Sequence, residues 1–168
     1  MCLIIAKPAG LRLPAGRIIE SAALRNPDGF GFCTPDRWFR TTDYEEFREE
    51  LARVGKDEPC IIHFRMATHG SVRTGNCHPF VHGGVGFAHN GVLAMGGRGD
   101  MTDSETFFLD VLCPEIDAHG FDSQEAQGAI ERHIGFSRFA FMVDGTLRLY
   151  GGFREMPDGC LYSNMNFI

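Results

Sequence analysis

The chain has 168 residues, 43% hydrophobic and 23% charged, a composition that suits one domain (residues 1–168) long enough to bury a core. A net charge of -6 with no cluster of Lys and Arg argues against a nucleic-acid surface, and no apolar run approaches membrane-spanning length. No charged-then-apolar leader is present, so a cytoplasmic location is expected, in which the six irregularly spaced cysteines would be reduced thiols. In chain order, Leu3 to Ala6 reads as a short apolar strand. Gly16 to Leu24 places Ile18, Ile19, Ala22 and Ala23 on one helical face. Phe30 to Cys33 and Trp38 to Thr41 flank Thr34-Pro35-Asp36, a hairpin-like turn. Thr42 with Glu45 predicts a capping box, followed by Phe47, Leu51 and Val54 at helical spacing. Cys60 to Met66 is apolar and extended. Gly84 to His89 is a strand entered through Gly83-Gly84. Thr102 with Glu105 predicts a second capping box, with Phe107, Phe108, Val111 and Leu112 ahead of a stop at Pro114. Asp122 with Glu125 opens a third helix closing near Ile134-Gly135. Phe139 to Val143 and Thr146 to Tyr150 are joined by Asp144-Gly145, a two-residue hairpin signal. Gly151 to Gly159 reads as loop and Cys160 to Tyr162 as a last strand. Many antiparallel neighbours with helices between them predict an α+β fold, its sheets covered by helices. The 15 Phe predict a thick aromatic core and the 21 Gly predict tight turns.

The chemistry begins at Cys2. Removal of Met1 would leave one residue holding both a nucleophilic thiol and a free α-amine able to take and return a proton. Phe87 to Val92 ends a strand with Asn90-Gly91, where a side-chain amide and a backbone N–H can converge on one oxygen. Arg65 leaves the strand in His63-Phe64-Arg65-Met66-Ala67-Thr68-His69-Gly70 with a planar fork suited to a carboxylate, and Thr68 adds a hydroxyl. Asp103 sits at an expected helix start, where the dipole favours a carboxylate that can accept from an ammonium. Taken singly, each has an ordinary structural explanation: an Asn-Gly turn, an ion pair, a helix cap. Taken together, Arg65 and Asp103 describe a free α-amino acid.

These residues stand in the order of a known family. Met1-Cys2, the run Arg25 to Gly31, the run His63 to Gly70, His89-Asn90-Gly91 and Thr102-Asp103-Ser104-Glu105 together resemble the glutaminase domain of class II glutamine amidotransferases, which are N-terminal nucleophile hydrolases. Cys77-His78-Pro79-Phe80 resembles the family's Asn-x-His-Pro stretch. The resemblance implies a four-layer αββα sandwich of two antiparallel sheets covered by helices. It implies Cys2 as nucleophile with its own amine as base, and Asn90 and Gly91 as the oxyanion hole. It also implies Arg65 on the glutamine α-carboxylate with Thr68 and His69 nearby, Asp103 on the α-ammonium, and Arg25 on a loop close to the nucleophile. It implies no cofactor. The domain is short for the family, and no synthetase module follows it, so the ammonia is expected to pass to a separate ammonia-using synthetase subunit. Two other readings stay open: an amidohydrolase of another γ-glutamyl or small amide, and a catalytically silent interaction module.

Other signals carry less. Cys60, His63, His69, Cys77, His78, His82 and His89 are soft ligands, but no CxxC pair supports a metal site and none is expected. Gly83 to Gly86 lacks dinucleotide-fingerprint spacing. Arg98-Gly99-Asp100 lies in the Gly-rich loop Met95 to Met101, whose glycines would let it act as a flap over the substrate.

Overall fold

A computed structural model describes residues 2–67 and 71–168. The first sheet has six strands, and every pairing in it is antiparallel. Its central strand β1 (Leu3–Lys7) lies between β4 (Cys60–Phe64) and β10 (Leu161–Tyr162). Beyond β4 come β2 (Phe30–Cys33) and β3 (Trp38–Thr41), the expected hairpin, and beyond β10 comes β9 (Arg154–Glu155). The second sheet has four strands in the order β5 (Phe80–His82), β6 (Val85–Asn90), β7 (Arg138–Val143) and β8 (Thr146–Tyr150), again all antiparallel.

Strand alternation sorts the apolar residues into three layers of contact. Leu3, Ile5, Phe30, Phe32, Ile62 and Phe64 face α1 (Gly16–Arg25) and α2 (Tyr44–Leu51), meeting Ile19, Ala22, Ala23, Phe47 and Leu51. The second sheet turns Phe80, Phe87, Phe139 and Phe141 onto α3 (Asp103–Thr106), a π-helical segment Phe107–Leu112, α4 (Cys113–His119) and α5 (Gln124–Ile134). Between the sheets lie Ile4, Cys33, Ile61, Ala88, Ala140 and Met142, half of them small side chains. This is the four-layer αββα sandwich. Phe87 is in ring contact with Phe107, Phe108, Phe139 and Phe141, so the expected aromatic core is concentrated under the second sheet.

Several local expectations shift. The second helix is capped not by Thr42 but by Asp43, whose carboxylate accepts from the Glu46 N–H at 3.0 Å, while Thr41 Oγ1 accepts from the Asp43 N–H at 3.0 Å. Ser123, not Asp122, caps α5 by accepting from the Ala126 N–H at 3.1 Å. In each case two adjacent residues can cap, and packing of the apolar face chooses the register. Thr102 does cap α3, accepting from the Glu105 N–H at 3.2 Å. Pro114, expected to stop that helix, sits instead in the first turn of α4. The backbone widens into the π segment before it, and an opening turn needs no N–H from proline. Phe80–His82 forms a strand where none was expected, and β9 interrupts the predicted 151–159 loop. Among the described residues no helix is long and apolar enough to cross a membrane.

Candidate active site

Cys2 immediately precedes β1, and strand alternation puts its side chain on the Ile4 face, toward the second sheet. Its Sγ accepts from the Met66 N–H at 3.5 Å and lies 3.6 Å from the Met66 carbonyl, while its own carbonyl accepts from Asn164 Nδ2 at 2.7 Å. The thiol borders a cavity of about 50 Å³ that is also lined by Arg65, Met66, Ala67, Asn76, His78, His89, Gly91, Val92, Thr102, Asp103 and Ser104. Val92, Thr102 and Asp103 also line a wider cavity of about 440 Å³ with Ser71 and the glycine-rich loop 96–101. A narrow pocket at the sulfur thus opens into a broader cleft. Four of the expected site residues, Cys2, Arg65, Gly91 and Asp103, line the narrow pocket together.

Arg65 follows the end of β4 and is 4% exposed. Its backbone is held at both sides, with its N–H donating to Gly29 at 2.7 Å and its carbonyl accepting from Asp28 at 3.0 Å. The Asp28 carboxylate accepts from the Ala67 N–H at 2.7 Å, so the 26–29 turn clamps the segment beside the nucleophile. The guanidinium donates to the Ser71 carbonyl at 3.1 Å, and Asn76 Nδ2 donates to the same carbonyl at 2.9 Å.

Asp103 is the first residue of α3. One carboxylate oxygen accepts from the Leu93 N–H at 2.7 Å and the other from the Ser104 N–H at 2.8 Å, with the Ser104 hydroxyl at 3.3 Å. A carboxylate has about four acceptor sites, so these three donors fix its position and leave room for one more. Gly91 has φ of 147°, in a region L side chains rarely adopt, and a Cβ there would collide with Ser137 Oγ. Asn90 ends β6, is 1% exposed, and its Nδ2 donates to Ser163 Oγ at 2.8 Å. Arg25 is not on a loop. It is the last residue of α1, exposed, and outside the set lining the Cys2 pocket. The helix continues to it because the Asn26 N–H still reaches the Ala22 and Ala23 carbonyls before Pro27. Thr68 and His69 lie outside the described residues.

Three histidines packed beside the pocket were not given a role by the sequence. The His63 and His78 rings lie 4.1 Å apart, and His89 stacks 6.5 Å from His78. The His89 N–H donates to His78 Nδ1 at 3.1 Å, His63 Nε2 donates to the His89 carbonyl at 3.2 Å, and His89 Nδ1 meets Ser104 Oγ at 2.7 Å. Burial pushes His63 down to about 3 and His89 to about 4, the latter against the pull of Asp103, and it holds His78 well below the ordinary histidine value. All three rings are neutral at pH 7. Asn76 Oδ1 and His89 Nε2 are buried at this pocket without a partner among the described residues, leaving polar atoms a ligand could satisfy. In the sequence the three stood only inside the family-like blocks His63 to Gly70, Cys77 to Phe80 and His89 to Gly91, and among the soft ligands. His82, grouped with Cys77 and His78 as a metal candidate, instead meets Asp117 at 2.9 Å near the surface.

The neutral histidines set a pH dependence of stability. Unfolded, each binds a proton near pH 6.5; folded, His89 stays neutral to about pH 4 and His63 to about pH 3, and burial holds His78 well below the ordinary value. Between those values the unfolded chain holds more protons, so their contribution is full above pH 6.5 and is lost as the pH falls. The unfolding free energy from urea titration, and with it the midpoint, should therefore drop from pH 7 to pH 5, the free energy by up to about 2 kcal/mol per ring. Equal midpoints would mean these rings are protonated in the fold.

Searched as a whole, the chain matches no family model. Over 142 residues it is 30% identical to the glutamine–fructose-6-phosphate aminotransferase (isomerizing) of Zymomonas mobilis subsp. mobilis, an alignment covering 80% of this chain and 23% of that protein. Among solved structures, the glutamine phosphoribosylpyrophosphate amidotransferase from B. subtilis, determined with ADP and GMP, superposes with a TM-score of 0.61 at 16% identity, covering 97% of this chain and 42% of that one. Both are class II glutamine amidotransferases. The chain has the glutaminase-domain fold of that class. The resemblance read from its ordered blocks therefore holds in sequence and in architecture. The chain spans about a quarter of the length of the curated relative it matches and less than half of the solved one.

Proposed function

We propose that this domain hydrolyses glutamine to glutamate and ammonia through a thioester on Cys2, and that the ammonia is consumed by an ammonia-using synthetase. The observation that carries the reading is the meeting of Cys2, Gly91, Arg65 and Asp103 around one pocket, a nucleophile and an oxyanion donor flanked by one cation and one anion. That charge pattern fits a zwitterion. Arg65 would take the α-carboxylate and Asp103 the α-ammonium, which leaves the side-chain amide for the sulfur.

The environment of Cys2 favours its own amine as the base. Burial pushes the thiol up, opposed by the Met66 backbone contact and the Arg65 charge. The neighbouring imidazoles are held too low to take a proton from such a thiol, so a Cys–His ion pair is disfavoured. An α-amine with a pKa of roughly 7.7–8.0, freed by loss of Met1, suits the task. It would accept the thiol proton as sulfur attacks the amide carbon and return it to nitrogen as ammonia leaves. Water, activated by the same amine, then cleaves the thioester. Asn90 and the Gly91 N–H would hold the oxygen that becomes negative in both steps.

Purified protein given L-glutamine should release one glutamate per ammonia. Protein that ignores glutamine but cleaves another γ-glutamyl amide would transfer the mechanism to a different substrate. Arg65→Ala and Asp103→Ala should each raise KM about tenfold or more, from loss of a charged contact, with a smaller change in kcat. Wild-type KM in both variants would mean the amino-acid end of the substrate lies elsewhere.

A further inference from the structure

The two ends of the chain meet at the candidate site. Ser163, just past β10, is tied to β1 by one backbone hydrogen bond, its N–H donating to the Ile4 carbonyl at 3.0 Å. Its hydroxyl is 2.9 Å from the Ile4 N–H and 2.8 Å from the Asn90 amide. Ser163 is 3% exposed and Asn90 1%, so water has little access to either. Asn90 Oδ1 has no partner among the described residues.

The hydroxyl can satisfy this amide in two ways. A serine oxygen has one proton and two lone pairs, and the Ile4 N–H takes one lone pair. With Nδ2 donating, the second lone pair is used and a buried carbonyl oxygen is left bare. A half-turn of the amide exchanges its oxygen and nitrogen. Ser163 then gives its own proton to Oδ1, and both Nδ2 protons are released to point where Oδ1 had been. For an oxyanion the difference decides the sign: an amide nitrogen stabilises it and an amide oxygen repels it.

We propose that Ser163 is a positioning residue of the oxyanion hole, whose hydroxyl, anchored by the Ile4 N–H, donates to Asn90 Oδ1 and so presents Nδ2 to the reacting oxygen. The inference rests on the glutaminase reading above. Ser163 touches no substrate. It acts through Asn90, and it does so from a position 73 residues away in sequence.

The test compares two reactions of the same thiol. Glutamine hydrolysis forms an oxyanion. Alkylation of Cys2 by iodoacetamide, in which sulfur displaces iodide, does not. Ser163→Ala should lower kcat for glutamine about tenfold or more, leave KM within about twofold, and leave the alkylation rate unchanged. Ser163→Thr, which keeps the hydroxyl, should recover most of the kcat. In an Asn90→Ala background, Ser163→Ala should cost little further, because the residue it acts through is gone. A wild-type kcat in Ser163→Ala overturns the proposal. So does an alkylation rate that falls in step with kcat, or a full additional loss in the Asn90→Ala background. A wild-type protein that does not hydrolyse glutamine fails the underlying reading instead, which separates the two outcomes.

Discussion

Cys2→Ala is expected to abolish glutamine hydrolysis, by about 10⁴-fold or more, in a protein that folds as before. The loss is large because no other group in the pocket can replace the sulfur. The remaining thiols at Cys33, Cys60, Cys77, Cys113 and Cys160 are buried, and burial pushes their protons on more tightly. The fold should survive because, among the described residues, the Cys2 sulfur makes two long hydrogen bonds, both with the Met66 backbone. Its carbonyl bond to Asn164 and the pairing of β1 from Leu3 onward involve no sulfur. Circular dichroism and a thermal midpoint within a few degrees of wild type would confirm an intact fold. Residual turnover above about a hundredth of wild type would remove Cys2 from the mechanism.

Asn90→Ala is expected to lower kcat by roughly 10²–10³-fold with a smaller change in KM, the signature of a donor that matters most in the transition state. The partner donor, the Gly91 N–H, belongs to the backbone and would persist in this variant, so some stabilisation survives. The substitution also frees Ser163, which keeps its bond to the Ile4 N–H and loses only the amide. Because Asn90 ends β6 and pairs with Arg138 through backbone, the strand itself does not depend on the side chain. Steady-state glutaminase kinetics read the effect directly. A kcat within threefold of wild type would place the oxyanion elsewhere.

Much of the architecture was legible because it is local. The turn at Asp144-Gly145 carries φ of 48° and 74°, the left-handed pair that an Asp-Gly hairpin supplies, and β7 and β8 follow on either side. The hairpin of β2 and β3 was equally plain. What escaped was structure made by distant partners. Phe80–His82 is only three residues long and becomes a strand by pairing with β6, while β9 exists by pairing with β10. Helix caps slipped by one residue where two capping side chains stand together, at Thr42-Asp43 and Asp122-Ser123.

The site divides in the same way. Cys2, Arg65, Gly91 and Asp103 announce themselves through their immediate neighbours in sequence, and they converge on one pocket. His63, His78 and His89 read as scattered soft ligands until the fold stacks and neutralises them. Ser163 and Asn164 carry no signal at all in the sequence. Their contacts with Asn90 and Cys2 bridge 73 and 162 residues, and only the closing of β10 onto β1 creates them.

In the proposed reaction a processed Cys2, holding thiol and amine together, attacks an amide bound between Arg65 and Asp103. Mass spectrometry of protein treated with a glutamine-like chloroketone tests it most directly. One adduct is expected, on Cys2 of a peptide that has lost Met1, formed more slowly when L-glutamine is present. An adduct on another cysteine, or full glutamine turnover by protein that still carries Met1, would contradict it.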